Sequence, residues 1–354
     1  MTKGKIIVAP LNWGLGHATR CIPIINALLD QNFTPIIVSD GAALKLLQKE
    51  FVQLKSFELP SYEIQYAKNR NNFKWKLLVQ IPNLQKAIKE EKRIIGSIVE
   101  KEGVLGIISD NRFGVRSKKV PSIYITHQIK VLSGITTFLS TKIHQRIISK
   151  FDACWIPDYI HEPNLAGVLS HVKNNNLICS YINPLSRFTF EKIEKKNDLL
   201  VLLSGPEPQR SLLEEKLLEE LKRYPKRIVF VRGIIEEKQE ISKKDNFLFI
   251  NYMLTDELEK AINESELIVA RSGYSTVMDL DKLNAKAFFI PTPGQFEQEY
   301  LATYLKQQNI ADFAAQEDFK MTLLLNSENY TGFIKSKTSK LNLFNFEVFS
   351  KFKN

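Results

Sequence analysis

The sequence predicts an α/β protein with two parallel-sheet domains, and three observations support this prediction. Short apolar runs of strand length recur between longer helical stretches, once over residues 1–180 and again over residues 198–334. Most of these runs end in turns that contain Gly, Ser or Pro. A chain of 354 residues with 44% apolar residues can also fill two cores of ordinary size.

The first domain, residues 1–180, opens with a strand at 6–10, a Gly-rich loop and an apolar helix at 21–29. Residues 181–197 carry Pro184 and a run of charge, and we interpret them as a linker. Further strands of the first domain are predicted at 33–39, 51–59, 104–110, 121–126 and 151–157, and helices at 42–49 and 84–102, the latter as a solvated surface helix.

The second domain, residues 198–334, starts with a strand at 198–203 and a helix at 211–224. The tail, residues 335–354, has Phe residues at three-residue spacing and predicts a terminal amphipathic helix. The remaining predicted strands of the second domain are 227–232, 267–270 and 287–290, with a helix at 254–265 and another that begins near Val277.

The stretch around the strand at 267–270 carries the clearest site chemistry. The turn Arg271-Ser272-Gly273 ends this strand, and Ser275 or Thr276 is expected to cap the helix that follows. The free N–H groups and the dipole of a helix N-terminus suit an anion such as a phosphate. Asp279, one turn further on, is placed to accept hydrogen bonds from a ribose diol.

The next strand, at 287–290, stops at a Pro-rich turn, and the loop from Gln295 to Glu299 then offers amide and carboxylate groups that suit sugar hydroxyls. In an open parallel sheet, ligands sit outside the carboxyl ends of the strands. Both segments are expected to emerge there.

These residues resemble the nucleotide-sugar half of GT-B glycosyltransferases of family 28, the group of the lipid I N-acetylglucosaminyltransferases and the monogalactosyldiacylglycerol synthases. The shared pattern is Arg-Ser-Gly-x-x-Thr, a carboxylate three residues on, and a Pro-rich turn before Gln-Gln or Gln-Glu. The family's usual Glu at the ribose position is an Asp here. The matching residues, in order, are Arg271, Ser272, Gly273, Thr276, Asp279, Gln298 and Glu299.

The resemblance implies two Rossmann-like domains facing an interdomain cleft, with the nucleotide-sugar in the second domain and the acceptor in the first. It also implies that Ser204 and Gly205 approach the diphosphate, with Arg210 able to supply charge. Pro206 and Pro208 depart from the family's Gly-rich turn and remove two N–H donors. The segment with Ile250 and Met253 resembles the part of the family that reads uracil.

The loop after the first strand reads Gly-x-Gly-His-x-x-Arg and resembles the opening loop of GT-B enzymes, where Gly14 and Gly16 would line the acceptor side. A neutral imidazole can take a proton from an acceptor hydroxyl, so His17 is a candidate general base. Asp110, at the end of the strand 104–110, is the second candidate. A loop-bracing role for His17 stays open.

The strand at 121–126 delivers His127-Gln128, and the resemblance implies that these two residues also line the acceptor side. For His127, hydrogen bonding within a strand-end turn is the alternative.

Residues 1–180 hold 24 Lys and Arg against 13 Asp and Glu. Within them, a segment interleaves cations with aromatic rings, which suits an anionic membrane surface. Nucleic acid binding would use the same composition, but no nucleic-acid motif accompanies it. A cationic loop without a partner is the plain alternative. The residues expected to contact the membrane are Lys68, Arg70, Phe73, Lys74, Trp75 and Lys76.

The sequence shows no signal-peptide pattern and no run of 18 apolar residues, which predicts a cytoplasmic protein, peripheral at the inner face of the membrane if it docks there. The three cysteines are widely spaced and are expected to be reduced. No His or Cys metal-ligand spacing occurs, and the one Asp-x-Asp tripeptide, Asp279-Leu280-Asp281, lies inside the helix predicted to begin near Val277, so we expect a metal-independent reaction without a cofactor, the nucleotide-sugar being a substrate.

The function predicted by the resemblance is transfer of a sugar, with inversion, from a nucleotide-diphosphate sugar, UDP-sugar above all, to a hydroxyl of a lipid or membrane-associated glycan. Two alternatives stay open: a UDP-sugar 2-epimerase, which needs no acceptor, and a non-catalytic subunit that binds UDP-sugar or membrane. The sugar, the acceptor and the oligomeric state are not fixed by the sequence.

Overall fold

The computed structural model of the chain describes residues 2–62, 73–173, 176–234, 236–333 and 346–349. The chain divides into two compact units, Met1–Leu185 with Ser339–Asn354, and Ser186–Thr338. Each unit contains one seven-stranded sheet. The prediction of two Rossmann-like α/β domains is therefore confirmed.

The N-terminal unit has its strands in the order β3-β2-β1-β4-β5-β6-β7, and all neighbours are parallel. Its strands are β1 (Gly4–Pro10), β2 (Phe33–Ser39), β3 (Ser56–Glu58), β4 (Val104–Asp110), β5 (Ser122–Ile125), β6 (Ala153–Ile156) and β7 (Cys179–Tyr181). Its α-helices are α1 (Gly16–Asp30), α2 (Gly41–Glu50), α3 (Phe73–Glu102) and α4 (Thr137–Ile148).

The C-terminal unit has its strands in the order β10-β11-β9-β8-β12-β13-β14. These are β8 (Asn197–Leu202), β9 (Ile228–Val231), β10 (Ile241–Lys244), β11 (Phe247–Ile250), β12 (Ser265–Ala270), β13 (Ala287–Phe289) and β14 (Asp312–Phe313). Its α-helices are α5 (Gln209–Leu221), α6 (Thr255–Asn263), α7 (Tyr274–Lys282) and α8 (Phe296–Gln307).

Three strands of this sheet were not predicted as strands, namely β14, β11 and, beside β11, the strand β10. It pairs antiparallel with β11 at the sheet edge, and all four of its residues are exposed. An exposed edge strand needs no apolar run, so the sequence signal for it is missing. Lys243 and Lys244 blunt the edge against pairing with another chain.

The central strands are buried on both faces, which explains why each of them is a continuous apolar run in the sequence and could be predicted as a strand. In β1, Ile6, Ile7, Val8 and Ala9 are all inaccessible to solvent. Strands β8 and β12 have the same character, and Leu199, Val201 and Val269 belong to the main core of the C-terminal unit.

Both sheets contain a point at which the direction of strand addition reverses. In the N-terminal unit β2 and β3 lie on one side of β1 and β4 lies on the other; in the C-terminal unit β9 and β12 flank β8 in the same way. Ligands of open parallel sheets bind at the carboxyl ends of the strands beside such a switch point. The loops after β1, β4, β8 and β12 are therefore the ones that position a site.

The last described segment, Phe346–Phe349, is a 3-10 helix that packs on the N-terminal unit. The Phe346 ring centroid lies 5.9 Å from that of Phe33. The Phe349 ring fills the space beside Gly106, where a Cβ atom would lie 2.0 Å from it. The rest of the predicted terminal helix lies outside the described residues.

The predicted membrane segment is only partly described. Lys68 and Arg70 lie outside the described residues, while Phe73, Lys74, Trp75 and Lys76 begin α3. Their contact with a membrane stays a prediction. Among the described residues, no helix combines the length and the apolarity needed to cross a bilayer.

Candidate functional site

The switch point of the N-terminal sheet brings the loop after β1 against the end of β4. Pro10 is in register with Asp110, and Leu11 N–H donates to the Asp110 carbonyl oxygen at 2.9 Å. Gly14 has φ 75°, a left-handed conformation that favours glycine, and turns the chain toward α1. This loop therefore delivers the start of α1 to the carboxyl edge of the sheet.

Helix α1 begins at Gly16, so its predicted start at Cys21 is wrong. The first helical turn is small and polar and lacks the apolar periodicity from which the boundary was read. The polar side chains of this turn contact residues of other elements. His17 and Arg20 both contact Asp110 at the end of β4. The earlier start places His17 and Arg20 three residues apart on one face of the helix.

His17, Arg20 and Asp110 form a compact network. His17 Nδ1 lies 3.1 Å from Asp110 Oδ1 and 2.8 Å from Arg20 Nη2. Arg20 Nε donates to Asp110 Oδ2 at 2.6 Å, and its Nη2 donates to Oδ1. Arg20 and Asp110 are buried, so this is a bidentate ion pair removed from water.

Burial and charge set the protonation states of this network. Burial lowers the pKa of His17, an effect that Asp110 opposes and Arg20 reinforces. Burial alone would raise the pKa of Asp110, but Arg20 and His17 hold that pKa well below its usual range. Near pH 7 the carboxyl group is therefore ionised and the imidazole is neutral.

The contacts of the His17 ring all use Nδ1. Arg20 Nη2 can only donate, so its contact favours an unprotonated Nδ1, whereas the contact with the Asp110 carboxylate favours Nδ1–H. In the tautomer that donates Nδ1–H to Asp110, Nε2 keeps its lone pair and can accept a proton. This is the arrangement in which a carboxylate orients a histidine base. The predicted candidates His17 and Asp110 are thus adjacent.

His127 and Gln128, predicted on the acceptor side, follow β5 at the same sheet edge. His127 Nδ1 lies 3.4 Å from Arg20 Nη1, which joins His127 to the network. The Gln128 carbonyl oxygen lies 2.9 Å from Nδ1 of His144 in α4. Of the four residues of this network, Arg20 alone had been assigned no role. It belongs to the Gly-x-Gly-His-x-x-Arg pattern, but nothing in that pattern indicates a partner for it.

In the C-terminal unit, the switch point brings together the loop after β8 and the turn after β12. Ser204 and Gly205 are exposed in the first of these. Gly205 has φ 103°, which a residue with a side chain rarely adopts. Both predicted donor residues therefore lie at the expected edge of the sheet.

Arg271, in the turn after β12, is buried beneath this edge. Its Nη1 donates to the carbonyl oxygens of Ile290 and Pro291 at 3.0 Å each. Its Nη2 donates to the Gln209 carbonyl oxygen at 2.9 Å and to Gln316 Oε1 at 2.7 Å. Burial lowers its pKa to about 9. Arg271 thus ties together the loops around β12, β13 and α5.

Helix α7 begins at Tyr274 with Gly273 as its N-cap, so the predicted start near Val277 is wrong. Ser275 and Thr276 lie inside the first turn and do not cap it. The Arg-Ser-Gly turn is shorter than expected because a glycine N-cap in extended conformation enters the helix directly.

The space in front of this helix is open. A Cβ atom built on Gly273 would meet no heavy atom within 4 Å. The preceding residue, Ser272, is buried and donates to the Gln298 carbonyl oxygen at 2.8 Å, which holds the turn in place. The α7 N-terminus is therefore a fixed helix end with room for an anion.

The Pro-rich loop after β13 is closed by the polar residues predicted to read the sugar. Gln298 Oε1 accepts from Thr292 N–H at 2.8 Å, and its Nε2 donates to Gln295 Oε1 at 2.8 Å. Glu299 Oε1 accepts from Gly294 N–H at 3.0 Å. These bonds order the loop over the start of α8.

Asp279 lies on α7, nearly two turns from Gly273, and is half-buried. Ser186 Oγ donates to its Oδ1 at 2.6 Å. Burial raises the pKa of Asp279 to about 6, against the opposing effects of Arg187 and Ser186. Ser186 was not predicted to be a site residue, because it lies 93 residues from Asp279 along the chain and belongs to no motif.

Two of the other predicted donor residues, Arg210 and Ile250, have partners of their own. Arg210 pairs with Glu214 and with Glu207, each at 2.7 Å. The Ile250 carbonyl oxygen accepts from Arg232 N–H at 2.8 Å, and Met253 follows β11 in the loop before α6.

Comparison with known proteins agrees with this architecture. Residues 209–330 match the sequence profile of the glycosyltransferase family 28 C-terminal domain. A UDP-N-acetylglucosamine--N-acetylmuramyl-(pentapeptide) pyrophosphoryl-undecaprenol N-acetylglucosamine transferase of Haemophilus influenzae is 22% identical over 94% of this chain and 91% of its own length. The protein of the same name from Haemophilus ducreyi is 24% identical, over 57% of this chain and 56% of its own length.

Solved structures show the same fold at low identity. The MurG structure from Acinetobacter baumannii matches with a TM-score of 0.53 and 15% identity, covering 92% of each chain. The spinosyn rhamnosyltransferase SpnG matches with a TM-score of 0.60 and 12% identity, covering 93% of each chain.

Proposed function

Since this chain is a GT-B glycosyltransferase of family 28 type, we propose that it transfers a sugar, with inversion, from a UDP-sugar to a hydroxyl of a lipid-linked acceptor. The relatives are named for a UDP-N-acetylglucosamine donor and a pyrophosphoryl-undecaprenol acceptor, which supports both substrate classes.

The observation that carries the proposal is the open N-terminus of α7 at the switch point of the C-terminal sheet. The N–H groups of a first helical turn have no partner within the helix, and the helix dipole favours an anion there. Gly273 lets the diphosphate approach because it has no side chain in the open space. Asp279, on the same helix, accepts hydrogen bonds from the two ribose hydroxyls.

The rest of the donor site follows from the loops around this helix. Ser204 and Gly205 approach the diphosphate from the end of β8, and the segment with Ile250 and Met253 takes the base. The segment from Gln295 to Glu299, predicted as a loop but found as the N-cap and first turn of α8, contacts the sugar. Arg271 supports these loops from below through its bonds to their carbonyl oxygens.

In the N-terminal unit, Nε2 of His17 accepts the proton of the acceptor hydroxyl. Asp110 orients the ring and stabilises the imidazolium that forms, and Arg20 keeps Asp110 ionised and in place. Asp110 is a weak proton acceptor because of its low pKa, so its role is orientation. Gly14, Gly16, His127 and Gln128 line the acceptor side.

The reaction is a direct displacement. The acceptor oxygen attacks the anomeric carbon, the bond from that carbon to the UDP oxygen breaks, and UDP leaves with the bonding pair while His17 holds the proton. The α7 N-terminus stabilises the charge on the departing diphosphate. Attack from the face opposite the leaving group inverts the anomeric centre. The reaction uses no cofactor and no metal, so activity is expected to survive EDTA.

A lipid-linked acceptor places the reaction at a membrane. The excess of Lys and Arg in residues 1–180 suits an anionic leaflet, which supports a peripheral position on its cytoplasmic face. The cationic segment from Lys68 to Lys76 contributes to this contact.

The test is transfer of radiolabelled N-acetylglucosamine from its UDP conjugate to a lipid extract of bacterial membranes, read as label in the organic phase, with UDP-glucose and UDP-galactose as further donors. We expect label in lipid and UDP release that requires the extract. Inversion at C2 of the sugar without extract would instead identify a 2-epimerase. Binding of UDP with no turnover on any donor would identify a non-catalytic subunit.

A further inference from the structure

Two cysteines face each other across the last two strands of the N-terminal sheet. Cys154 of β6 is in register with Cys179 of β7, and β7 is the edge strand of that sheet. The Cys154 N–H donates to the Ile178 carbonyl oxygen at 2.8 Å, which holds the two strands side by side. Side chains in register on neighbouring parallel strands point to the same face of a sheet. The two thiols therefore lie next to each other, and both are free.

The spacing of these strands suits a disulfide bond. Neighbouring strands of a sheet lie about 4.8 Å apart, and disulfides join residues whose Cα atoms are about 4.4–6.8 Å apart. The Cys154 and Cys179 thiols are also hydrogen-bonded to each other. Only a small movement is therefore needed to bring the two sulfur atoms within bonding distance.

The two thiols differ in exposure and in ionisation. Cys154 is 1% exposed and packs in a core cluster with Tyr124, Ile148 and Phe151, whereas Cys179 is half-buried against that cluster. The hydrogen bond from the Cys154 thiol lowers the pKa of Cys179, against the opposing effect of burial. The same bond, together with burial, raises the pKa of Cys154. Cys179 is thus the thiol that ionises first and that a reagent in solvent can reach.

We propose that Cys179 and Cys154 form a redox-modification site, at which a hydroperoxide oxidises Cys179 and Cys154 converts the product to a disulfide. An accessible thiolate beside a second thiol is the arrangement typical of redox-sensing cysteines. The thiolate is the reactive form of a cysteine, so the attack begins at Cys179. The buried Cys154 keeps its proton and reacts second.

The two steps balance as follows with hydrogen peroxide as the oxidant. The Cys179 thiolate attacks one peroxide oxygen, the O–O bond breaks, Cys179 becomes a sulfenic acid and hydroxide leaves. The Cys154 sulfur then attacks the Cys179 sulfur and the S–O bond breaks. The oxygen leaves as water with the proton of the Cys154 thiol. The two thiols together lose two electrons, and the peroxide accepts them.

The third cysteine has a different environment. Cys21 is inaccessible to solvent, and its Sγ lies 3.7 Å from Asp110 Oδ2. Burial and the Asp110 carboxylate raise the pKa of Cys21 well above its usual value. Cys21 therefore stays a protonated thiol and serves as a matched control within the same chain.

The thiol pair lies outside the residues assigned to the donor and the acceptor in the proposed function. Strand β7 has three residues and pairs with β6 alone among the described strands. The second compact unit begins at Ser186, soon after β7. A disulfide would attach this short edge strand covalently to its sheet, just before the chain passes to the C-terminal unit.

The first test treats the full wild-type chain with hydrogen peroxide, alkylates the remaining thiols in urea with iodoacetamide, and maps unreduced tryptic peptides by mass spectrometry. We expect a linked species of peptides 151–173 and 174–187, which carry Cys154 and Cys179. Dithiothreitol should separate the two peptides. Peptide 21–45 should carry Cys21 as its iodoacetamide adduct.

The second test compares the thiols in the native chain. We expect iodoacetamide to alkylate Cys179 at least about tenfold faster than Cys21, because Cys179 is more accessible and ionises more readily. In Cys154→Ala, dimedone should trap more sulfenic acid on Cys179 than in the wild type, since the second thiol is absent. In Cys179→Ser, peroxide should leave Cys154 a free thiol. Both variants should bind UDP as the wild type does.

The wild-type chain decides the proposal even if a variant folds poorly. Absence of the linked peptides after peroxide treatment, or oxidation of Cys21 as fast as Cys179, would overturn it. A disulfide that joins Cys179 residues of two chains, in place of the link to Cys154, would overturn it as well. None of the wild-type measurements involves UDP or an acceptor, so a negative result here leaves the proposed function untouched.

Discussion

Nδ1 of His17 lies 3.1 Å from Oδ1 of Asp110, a carboxylate that Arg20 holds from the other side through a 2.6 Å bond from Nε to Oδ2. His17 and Arg20 belong to the first turns of α1, and Asp110 is the last residue of β4. The orientation of the imidazole is thus fixed by the fold before any substrate binds.

We expect His17→Gln to lower kcat by about 10²- to 10⁴-fold, because it removes the proton acceptor. The affinity for UDP should not change, since UDP is proposed to bind in the C-terminal unit. The transfer assay and calorimetry measure the two quantities separately. His161→Gln, at an exposed histidine of the same unit, is the control and should behave as the wild type.

The pH profile gives a second readout. Burial lowers the pKa of His17, so the wild-type rate should rise with pH through a value below 6.5 and level off near neutrality. In His17→Gln this acidic limb should disappear. A variant with the wild-type rate and profile would show that another group takes the proton.

Arg20→Leu should destabilise the N-terminal unit by about 3–5 kcal/mol, because it leaves the buried Asp110 carboxylate without its cation. The double variant Arg20→Leu/Asp110→Leu should recover part of that loss, since no unpaired charge remains. Urea unfolding measures both. Lys119→Leu, which breaks the exposed pair with Glu100, should leave the free energy of unfolding almost unchanged. An Arg20→Leu cost as small as this would contradict a buried, dehydrated pair.

Much of the fold could be predicted because parallel strands are buried on both faces. Runs such as Ile6–Ala9 are apolar without interruption, and turn residues mark their ends. The Arg271-Ser272-Gly273 turn was recognised in the same local way, and it lies at the switch point. The sequence pattern was therefore sufficient to predict strands and turns whose conformation depends mainly on neighbouring residues in the chain.

The rest depends on contacts that no local pattern encodes. The helix with Glu91 was predicted to be a solvated surface helix, yet Glu91 is fully buried and accepts from Arg112 Nε at 2.7 Å. Arg112 also pairs with Asp40 at the start of α2. The bond from Ser186 to Asp279 is of the same kind, because it joins two segments far apart in the chain.

Asp279→Asn should stabilise the chain at pH 7.5 by about 1–2 kcal/mol. The folded-state pKa of about 6 lies above the usual value, so Asp279 contributes stability at low pH that is lost as the pH rises through about 6. The difference between variant and wild type should therefore vanish near pH 4. Urea unfolding at the two pH values tests this, with the exposed Asp318→Asn as control. A gap of equal size at both pH values would contradict it.

The most direct measurement is calorimetric titration of UDP into the wild-type chain and into Gly273→Ala. The Cβ atom enters open space at an ordinary φ of −68°, so we expect unchanged folding stability but at least tenfold weaker UDP binding, about 1.4 kcal/mol, with binding of uridine unchanged. Gly96→Ala, which also adds a Cβ atom in open space, should bind UDP as the wild type does. UDP should bind more tightly than GDP or dTDP. No UDP binding by the wild type, or equal affinity in Gly273→Ala, would contradict a diphosphate site at the start of α7.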